Sequence, residues 1–438
     1  MTKLAKFKMG ALALATALTL PAAHAQTEIQ WWYSMGGALG EWVNDLANEF
    51  NASQGDYKIV PTFKGSYDES MTAAIAAFRA GNAPDILQVF EVGTATMMYS
   101  KGAIKPVAEV MQDAGVNFDP GAYVPAVAGY YTAPDGQMLS MPFNSSTSVF
   151  HYNKDAFTAA GLDVDNPPKT WPELIDAAGK LKASGHSCPF TTSWISWTQL
   201  ENFSAWHNVL FATKNNGFDG LDTRLAFDSP LHVKHFQNLA QMAKDGLFHY
   251  KGRGNAADAS YVSGECAMII GSAGLLGNIQ RNAKFAFGVS SLPYYPDVAD
   301  APQNSVIGGA SLWVMSGKKA ENYKGVGQFL SYLAQPEVAS ASHQRTGYLP
   351  VTTAAFELTE QSGYYKDNPG SDVAVQQMIR KTTDKSRGIR IGNFVQIRTI
   401  IDEETENIWS GKKSPEQALK DAIKRGNDQL ARFEKANS

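Results

Sequence analysis

The chain has 438 residues, with 38 Lys and Arg against 42 Asp and Glu, and its formal net charge is −4 at pH 7. This acidic balance excludes a nucleic-acid partner, because such a partner is recognised by a basic stripe that displaces counterions. The length exceeds the ~250–300 residues at which a single hydrophobic core stops growing, so we expect two lobes.

The first 25 residues have the pattern of a secretory signal peptide. Lys3, Lys6 and Lys8 form a basic start, residues 9–20 are apolar, and residues 23–25 supply the small residues that a signal peptidase requires. We expect cleavage before Gln26 and export of the mature chain. Since the removed segment carries three Lys and no acidic residue, the net charge changes from −4 to −7. No later run approaches the ~20 apolar residues of a transmembrane helix.

Only two cysteines are present, Cys188 and Cys266. They can pair, because the compartment of an exported chain permits disulfides. The alternative is two small buried residues, and the sequence leaves both possibilities open.

The mature chain begins with strands and helices that alternate. Residues 29–33 and 57–63 have the patterns of strands, and residues 39–50 between them place apolar side chains at helical spacing. A helix over residues 70–79 and a buried strand over residues 84–89 follow. Strands separated by helices in this way predict an α/β fold with a mostly parallel sheet.

Two polar residues follow the ends of these strands, where ligands of α/β sheets bind. Tyr67 comes after the second strand and is either a ligand contact or a surface aromatic residue of a turn. Glu91 follows a buried strand, where a carboxylate requires donors around it, and the hydroxyl groups of a polyol are suitable donors. The alternative for Glu91 is an acidic residue in the first turn of the next helix.

Two segments predict crossings between the lobes. Residues 142–157 read PFNSSTSVFHYNKDAF, a hydroxyl-rich approach to a strand near one third of the chain. Such a polar entrance is expected where a chain crosses between lobes and lines the cleft, and the alternative is an edge strand with a solvated turn. Residues 301–310 predict the second crossing, in which Gly309 either allows close approach to a ligand or serves a bulge.

The second lobe contains two pairs of candidate residues. Trp194 and Trp197 either form a wall along the carbon chain of a ligand or belong to the core. His232 and His235 are spaced for one face of a helix. We interpret them as solvated and not as a metal site, because no acidic or thiol partner is nearby.

Two further features predict recognition of an anion. Residues 261–270 predict a strand, and the small-residue turn over 271–274 leads to a helix whose N-terminal N–H groups, with the Ser272 hydroxyl, suit an anion. Arg398 opens a later helix that carries acidic residues at positions 402–404. It either pairs with one of those acids or grips a phosphate with its planar fork of donors.

Several segments carry a resemblance that covers nearly the whole mature chain. They are LQVFEVGTATMM, PFNSSTSV with YNKDAF after it, QLENFSAW, KNNGFDG, IGGASLWVM, TGYLPVT and QIRTIIDEE. These segments resemble those of the extracellular solute-binding family of ATP-driven importers, and within it the receptors for sn-glycerol 3-phosphate. The YNKDAF motif specifies only the fold. FNSST, IGGASLWV and TGYLP are narrower and together point to glycerol phosphate.

The resemblance implies an α/β fold of the type II periplasmic binding protein class, in which two lobes close on a hinge over a ligand cleft. Lobe 1 would comprise residues 26–138 and 302–345, and lobe 2 would comprise residues 139–301 and 346–438. The implied function is that of a monomeric periplasmic receptor, with no enzymatic activity and no cofactor. It would deliver sn-glycerol 3-phosphate, or a glycerophosphodiester such as glycerophosphocholine, to the membrane permease of an ABC importer.

The resemblance also assigns ligand-binding residues, and these are Tyr67, Glu91, Ser146, Ser272, Gly309, Tyr348 and Arg398. The donors suited to a phosphate dianion are Arg398, Ser146, Ser272 and Tyr348. Glu91 would accept hydrogen bonds from glycerol hydroxyls, and Trp194 and Trp197 would pack along the carbon backbone of the ligand.

Two alternatives to this function remain. An exported hydrolase would need paired carboxylates, a metal cluster or a nucleophile motif, and the sequence has none that we recognise. A sugar receptor of the same fold is distinguished by Arg398, because a neutral sugar does not require a guanidinium. We therefore expect Arg398→Ala to weaken binding of glycerol 3-phosphate by two or more powers of ten and to leave the fold intact.

Overall fold

The computed structural model describes residues 26–438, and the predicted signal peptide, residues 1–25, lies outside the described residues. The strands of the described part are β1 Thr27–Tyr33, β2 Tyr57–Phe63, β3 Ile86–Phe90, β4 Ile104–Lys105, β5 Met141–Ser146, β6 Ser148–Asn153, β7 Cys188–Thr192, β8 Cys266–Ser272, β9 Phe287–Ser290 and β10 Gly308–Met315. They form a six-stranded and a four-stranded sheet, one in each of two α/β lobes.

Helices cover both sheets and form the C-terminal part of the chain. The α-helices are Gly37–Ser53, Tyr67–Arg79, Thr94–Tyr99, Val107–Asp113, Pro125–Ala128, Lys154–Ala159, Trp171–Ala183, Asn202–Trp206, Pro230–Lys244, Asp258–Val262, Leu276–Asn282, Ala320–Leu333, Pro336–Thr346, Thr353–Gln361, Tyr364–Asp367, Val373–Met378, Phe394–Trp409 and Pro415–Asn437. Short 3₁₀ turns cover Glu91–Gly93, Pro120–Ala122 and Ala273–Leu275, a π-helical turn covers Trp197–Glu201, and Thr213–Gly217 is a turn with left-handed backbone. None of the helices between residues 26 and 438 has both the length and the apolar content of a membrane span.

The strand order of the six-stranded sheet is β2-β1-β3-β10-β4, with β5 also paired to β10. β1 is parallel to β2 and β3, whereas β10 is antiparallel to β3, β4 and β5. The four-stranded sheet has the order β7-β8-β6-β9, and only β7 and β8 are parallel. The prediction of a mostly parallel sheet is therefore wrong beyond β1–β3. Parallel pairing requires a crossover connection on the same sheet, and β10 instead returns from the other lobe.

The first crossing between the lobes lies at Thr147. β5 ends at Ser146 in the six-stranded sheet, and β6 begins at Ser148 in the four-stranded sheet. We therefore propose that lobe 2 begins at Thr147 and not at residue 139, because β5 is hydrogen bonded to β10 of lobe 1. The other lobe boundaries stay predictions.

The C-terminal helices pack against the six-stranded sheet. Leu87 and Val89 of β3, together with Trp313 of β10, share one buried cluster with Ile397 and Ile401 of helix Phe394–Trp409. A separate buried cluster lies against the four-stranded sheet around Phe150 of β6. Packing of helix Phe394–Trp409 on β3 brings its inward face to the carboxyl end of that strand, which positions the side chain at residue 398 beside the interlobe cleft.

Helix Tyr67–Arg79 begins at a residue of the predicted site because of a capping box. The Ser66 hydroxyl accepts a hydrogen bond from the Glu69 N–H, and the Glu69 carboxylate accepts one from the Ser66 N–H. These two bonds satisfy N–H groups that the helix leaves free at its start. Tyr67 is thus fixed as the first helical residue, at the edge of the cleft.

Cys188 and Cys266 form a disulfide between the first residues of β7 and β8. Both residues are buried, so the structure decides the question that the sequence left open in favour of pairing. The bond joins two parallel neighbouring strands near the start of β8, and β8 ends at Ser272, a residue of the predicted site.

The interpretation of His232 and His235 as solvated residues is wrong, because both are fully buried. His232 Nε2 is 2.8 Å from the Ser204 Oγ, and His235 Nε2 is 3.1 Å from the Gln199 Oε1. Burial lowers the pKa of both imidazoles, to about 3 for His232, so they are neutral core residues. Their spacing on one helical face was compatible with either environment.

Candidate functional site

A cavity of about 330 Å³ lies between the lobes, where the ends of strands from both sheets meet. Of the predicted site residues, those that line it are Tyr67, Glu91, Trp194, Trp197, Ser272, Gly309, Tyr348 and Arg398. Ser146 is fully buried and lies directly behind Ser272. The structure therefore brings all nine predicted residues to one place, and their role in ligand binding stays a prediction.

Arg398 forms a buried triad with two glutamates. Its Nε donates to Glu201 Oε1 at 2.8 Å, and its Nη2 donates to Glu201 Oε2 at 2.7 Å and to Glu91 Oε1 at 2.5 Å. The side chains of all three residues are at most 10% exposed. Of the two alternatives for Arg398, pairing with an acid at positions 402–404 is wrong, since its partners come from other elements.

The triad is acidic, with two carboxylates around one guanidinium. Burial raises the pKa of the Glu91 carboxyl, and Arg398 opposes that rise. Burial disfavours the charge of Arg398, but Glu201 and Glu91 outweigh this effect and raise its pKa above the ordinary value. Arg398 is therefore charged at every relevant pH, and three of its five N–H donors point at carboxylates rather than into open space. The amino group Nη1 makes no hydrogen bond to the described residues, so it is the donor that a ligand can use.

The hydroxyls of Ser146 and Ser272 connect the two sheets. Their Oγ atoms lie 2.7 Å apart, although Ser146 ends β5 in one lobe and Ser272 ends β8 in the other. Ser272 Oγ also accepts a hydrogen bond from the Gly274 N–H at 3.1 Å. The predicted strand over residues 261–270 is displaced, because helix Asp258–Val262 precedes β8. The turn predicted over residues 271–274 is displaced with it, since β8 continues to Ser272 and the turn covers Ala273–Leu275.

A chain of amide side chains holds Tyr67. Gln88 Nε2 donates to Asn144 Oδ1 at 2.8 Å, and Asn144 Nδ2 donates to the Tyr67 hydroxyl oxygen at 3.0 Å. The Tyr67 ring stacks on Phe90, with ring centroids 5.0 Å apart. Burial raises the pKa of Tyr67 well above its ordinary value, so the phenol keeps its proton. Because the oxygen accepts from Asn144, that proton is available to an acceptor in the cavity.

Gly309 permits a close backbone contact at the floor of the cavity. Its φ is +81°, and a Cβ at this position would lie 1.9 Å from the Asn144 carbonyl oxygen. A register shift in the pairing of β10 with β5 follows directly, between Ala310 and Ser311. The glycine is thus required by the irregular pairing with β5, and the same backbone forms part of the cavity lining.

The two tryptophans differ in their environments. Trp197 is buried, and its Nε1 donates to the Ile307 carbonyl at 3.4 Å. Trp194 is partly exposed, has a φ of +52°, and its N–H donates to the Gly254 carbonyl at 2.6 Å. A β-branched or bulky residue rarely adopts this left-handed backbone, and such strain concentrates at ligand sites. Both residues line the cavity, so Trp197 is a core residue and a wall residue at once, whereas Trp194 is a wall residue only.

Tyr348 closes the cavity from the loop after helix Pro336–Thr346. It is buried, and its hydroxyl lies 3.7 Å from the Met35 Sδ, a weak acceptor. Leu349 N–H donates to the Ser145 carbonyl at 2.8 Å, which attaches this loop to β5. Burial raises the pKa of Tyr348 to about 12, so it is a hydrogen-bond donor at neutral pH.

Sequence reasoning missed two acidic residues. Glu201 lies in the segment QLENFSAW that carried the resemblance, but its role as the main partner of Arg398 depends on a contact across 197 positions. Asp258 lines the cavity, and no motif or strand end marks it in the sequence. Between residues 26 and 438, no group of three or more His, Cys, Asp or Glu is arranged to hold a metal ion.

Comparison with known proteins identifies the family. Residues 45–371 match the model of the bacterial extracellular solute-binding protein family. The chain belongs to this family. Among extracellular solute-binding proteins, the sn-glycerol-3-phosphate-binding periplasmic protein UgpB of Yersinia enterocolitica is 56% identical over 417 residues, which is 95% of each chain. UgpB of Salmonella typhimurium is also 56% identical, over 428 residues and 97% of each chain.

Solved structures support the same fold. UgpB from Mycobacterium tuberculosis in complex with glycerophosphocholine superposes with a TM-score of 0.78, over 93% of this chain and 99% of that chain. The sequence identity to it is 23%, so this likeness shows the fold alone. The predicted type II α/β architecture of extracellular solute-binding proteins is confirmed.

Proposed function

We propose that this solute-binding protein is the periplasmic receptor of an ABC importer, and that it captures sn-glycerol 3-phosphate and its diesters, such as glycerophosphocholine. The observation that carries the proposal is the cavity between the lobes, which combines hydroxyl donors at one wall with the triad of Arg398, Glu91 and Glu201 at another. Relatives named for this ligand are 54–56% identical over nearly the whole chain.

We place the triad at the glycerol end of the ligand. The resemblance assigned Arg398 to the phosphate, but three of its five N–H donors are held by Glu201 and Glu91. Glu91 uses one carboxylate oxygen for Arg398, and its second oxygen makes no hydrogen bond to the described residues. A glycerol hydroxyl that donates to this oxygen can accept in turn from the free amino group of Arg398. Charge-assisted hydrogen bonds of this kind are roughly twice as strong as neutral ones.

The opposite wall suits the phosphate. Ser272 and Tyr348 are neutral donors in the cavity lining, and Ser146 supports Ser272 from behind. Helix Gly37–Ser53 also begins at this wall, with no side-chain cap and no acidic residue in its first turn. Gly36 and Gly37 line the cavity, and their Cα atoms face open space. The free N–H groups of this helix start add positive potential where the phosphate would lie.

Ligand capture would close the lobes, since the proposed contacts come from both sides. Glu91 follows β3 and Gly309 lies in β10, both strands of the six-stranded sheet, whereas Trp194 follows β7 and Ser272 ends β8 of the four-stranded sheet. A ligand that contacts both lobes favours the closed state by the free energy of the contacts that only this state offers. The closed monomer would then deliver the ligand to the membrane permease.

Isothermal titration calorimetry of the purified mature protein tests the proposal. Glycerol 3-phosphate, glycerophosphocholine and maltose are titrated in parallel. We expect saturable binding of a phosphate compound and no heat with maltose. Binding of maltose alone would show a sugar receptor of the same fold and would overturn the proposal.

A further inference from the structure

Asp258 is a carboxylate in the cavity that nothing neutralises. It is the first residue of helix Asp258–Val262 and lines the cavity with Trp194 and Tyr348. Its Oδ1 is buried and makes no hydrogen bond to the described residues. The Ser193 hydroxyl lies beside it, but Ser193 Oγ also lacks a hydrogen bond of acceptable geometry. A carboxylate with a buried oxygen that accepts no hydrogen bond is costly to keep ionised.

The groups around Asp258 supply no positive charge. β8 packs on helix Asp258–Val262 and contains no titratable side chain, because its one cysteine, Cys266, is in the disulfide. His151 of β6 lies against Tyr261 of the same helix. Burial lowers the pKa of His151 to about 4, so His151 is neutral. The nearby basic residues are engaged elsewhere, since Arg253 pairs with Glu406 and Arg281 pairs with Glu41.

The cavity as a whole is therefore acidic. Its charged lining residues are Glu91, Asp258 and Arg398, and Arg398 is shared with Glu201 just behind the wall. With every carboxylate ionised, these four groups sum to two negative charges. A phosphate monoester is a dianion at pH 8, because its second pKa is about 6. Placing it here without a compensating proton would set like charges together in a closed, poorly solvated space.

We propose that capture of the phosphate ligand is coupled to uptake of one proton by Asp258, whose neutral carboxylic acid then donates a hydrogen bond to the ligand. The proton comes from solvent and is bound at a carboxylate oxygen of Asp258, and no bond of the ligand is broken. This inference rests on the proposed function. Burial raises the pKa of Asp258 to about 7 in the ligand-free protein, with Ser193 opposing the rise, so protonation requires little free energy at neutral pH.

Calorimetry in two buffers measures the proton directly. Glycerol 3-phosphate is titrated at pH 8 in Tris and in HEPES, whose ionisation enthalpies differ, so the difference in observed heat gives the number of protons taken up. We expect about one proton per ligand for the wild type, and a dissociation constant that rises up to about tenfold per pH unit between pH 7 and 9. Asp258→Asn should take up no proton and bind with an affinity that is independent of pH in this range. The exposed Asp367→Asn is the matched control and should behave as the wild type.

Each outcome separates this inference from the proposed function. Binding without proton uptake, or uptake that persists in Asp258→Asn, overturns the role of Asp258 and leaves the phosphate receptor standing. Absence of binding by the wild type overturns both. If Asp258→Asn does not fold, infrared difference spectra of the wild type decide the question. Ligand binding should then increase the band of protonated carboxyl groups, and an unchanged band overturns the inference.

Discussion

Arg398 grips Glu201 with two parallel hydrogen bonds, of 2.8 and 2.7 Å, although the residues are 197 positions apart in the chain. The pair joins helix Phe394–Trp409 to the π-helical turn Trp197–Glu201, and Glu91 adds the end of β3 to the same cluster. The sequence predicted Arg398 as a ligand contact. In the structure its guanidinium also provides the positive charge that allows Glu91 and Glu201 to be buried.

Arg398→Ala should weaken ligand binding and also destabilise the protein. We expect the affinity for glycerol 3-phosphate to fall at least a hundredfold. Unlike the expectation from sequence, the fold should also lose about 3–5 kcal/mol of stability, because two carboxylates would remain buried without a partner. Urea denaturation and calorimetry measure the two effects. Arg432→Ala, which removes an exposed arginine, is the control. An unchanged free energy of unfolding for Arg398→Ala would contradict the claim that its charge stabilises the buried Glu91 and Glu201.

The position of Arg398 was predictable, but its partner was not. The resemblance placed Arg398 at the site, and acids four to six positions later made a local ion pair the natural expectation. Glu201 became the partner because a π-helical turn in the middle of the chain packs against the C-terminal helix. Similarly, strand ends located Glu91, since that rule depends only on local pattern. Asp258 follows no strand, and only tertiary packing brings it into the cavity.

Ser272→Ala should weaken ligand binding without loss of fold. Removal of a hydroxyl that donates to phosphate costs about 1–2 kcal/mol, or roughly a tenfold loss of affinity. Ser146→Ala should have a smaller effect, because Ser146 lies behind Ser272 at 2.7 Å. The double variant should lose less than the sum of the two single losses, since contacting residues couple. Calorimetry measures the affinities of all three variants.

Ser148→Ala is the control, because Ser148 is buried like Ser146 and its hydroxyl makes no hydrogen bond to the described residues. If the loss of binding free energy in the double variant equals the sum of the two single losses, the hydroxyls of Ser146 and Ser272 act independently, and the prediction is contradicted.

Reduction of the disulfide should lower stability and leave binding nearly unchanged. Cys188 and Cys266 are separated by 78 positions, and loss of a cross-link of this length costs about 4.5 kcal/mol in the chain-entropy description. Urea denaturation with and without a reducing agent tests this. The double variant Cys188→Ala and Cys266→Ala serves as the control, because the reducing agent should have no effect on it. Equal stability of the oxidised and reduced wild type would contradict the prediction.

The topology of the sheets shows a second limit of sequence reading. Alternation of strands and helices correctly predicted β1, β2 and β3 as parallel neighbours. The same rule failed for β10, because the chain reaches it after crossing from the other lobe. The sequence left the hydroxyl-rich segment as either a crossing or an edge strand with a solvated turn. Burial of all six residues of β5 decides against the solvated turn, because buried polar side chains require a partner.

Asp258→Asn should stabilise the ligand-free protein at alkaline pH and not at acidic pH. The pKa of Asp258 is raised from its ordinary 3.8 to about 7 by burial, so the folded state binds this proton more tightly than the unfolded state. The stabilisation from the protonated form is complete below pH 3.8 and is lost as the pH rises through 7. Above that pH the ionised carboxylate opposes folding, and the neutral amide removes this cost, which is on the order of 4 kcal/mol for a pKa rise from 3.8 to about 7. Urea denaturation of ligand-free protein at pH 8 and at pH 4 measures the difference, with Asp367→Asn as the exposed control. A gain of equal size at both pH values would indicate better packing of the amide and would contradict the titration of Asp258.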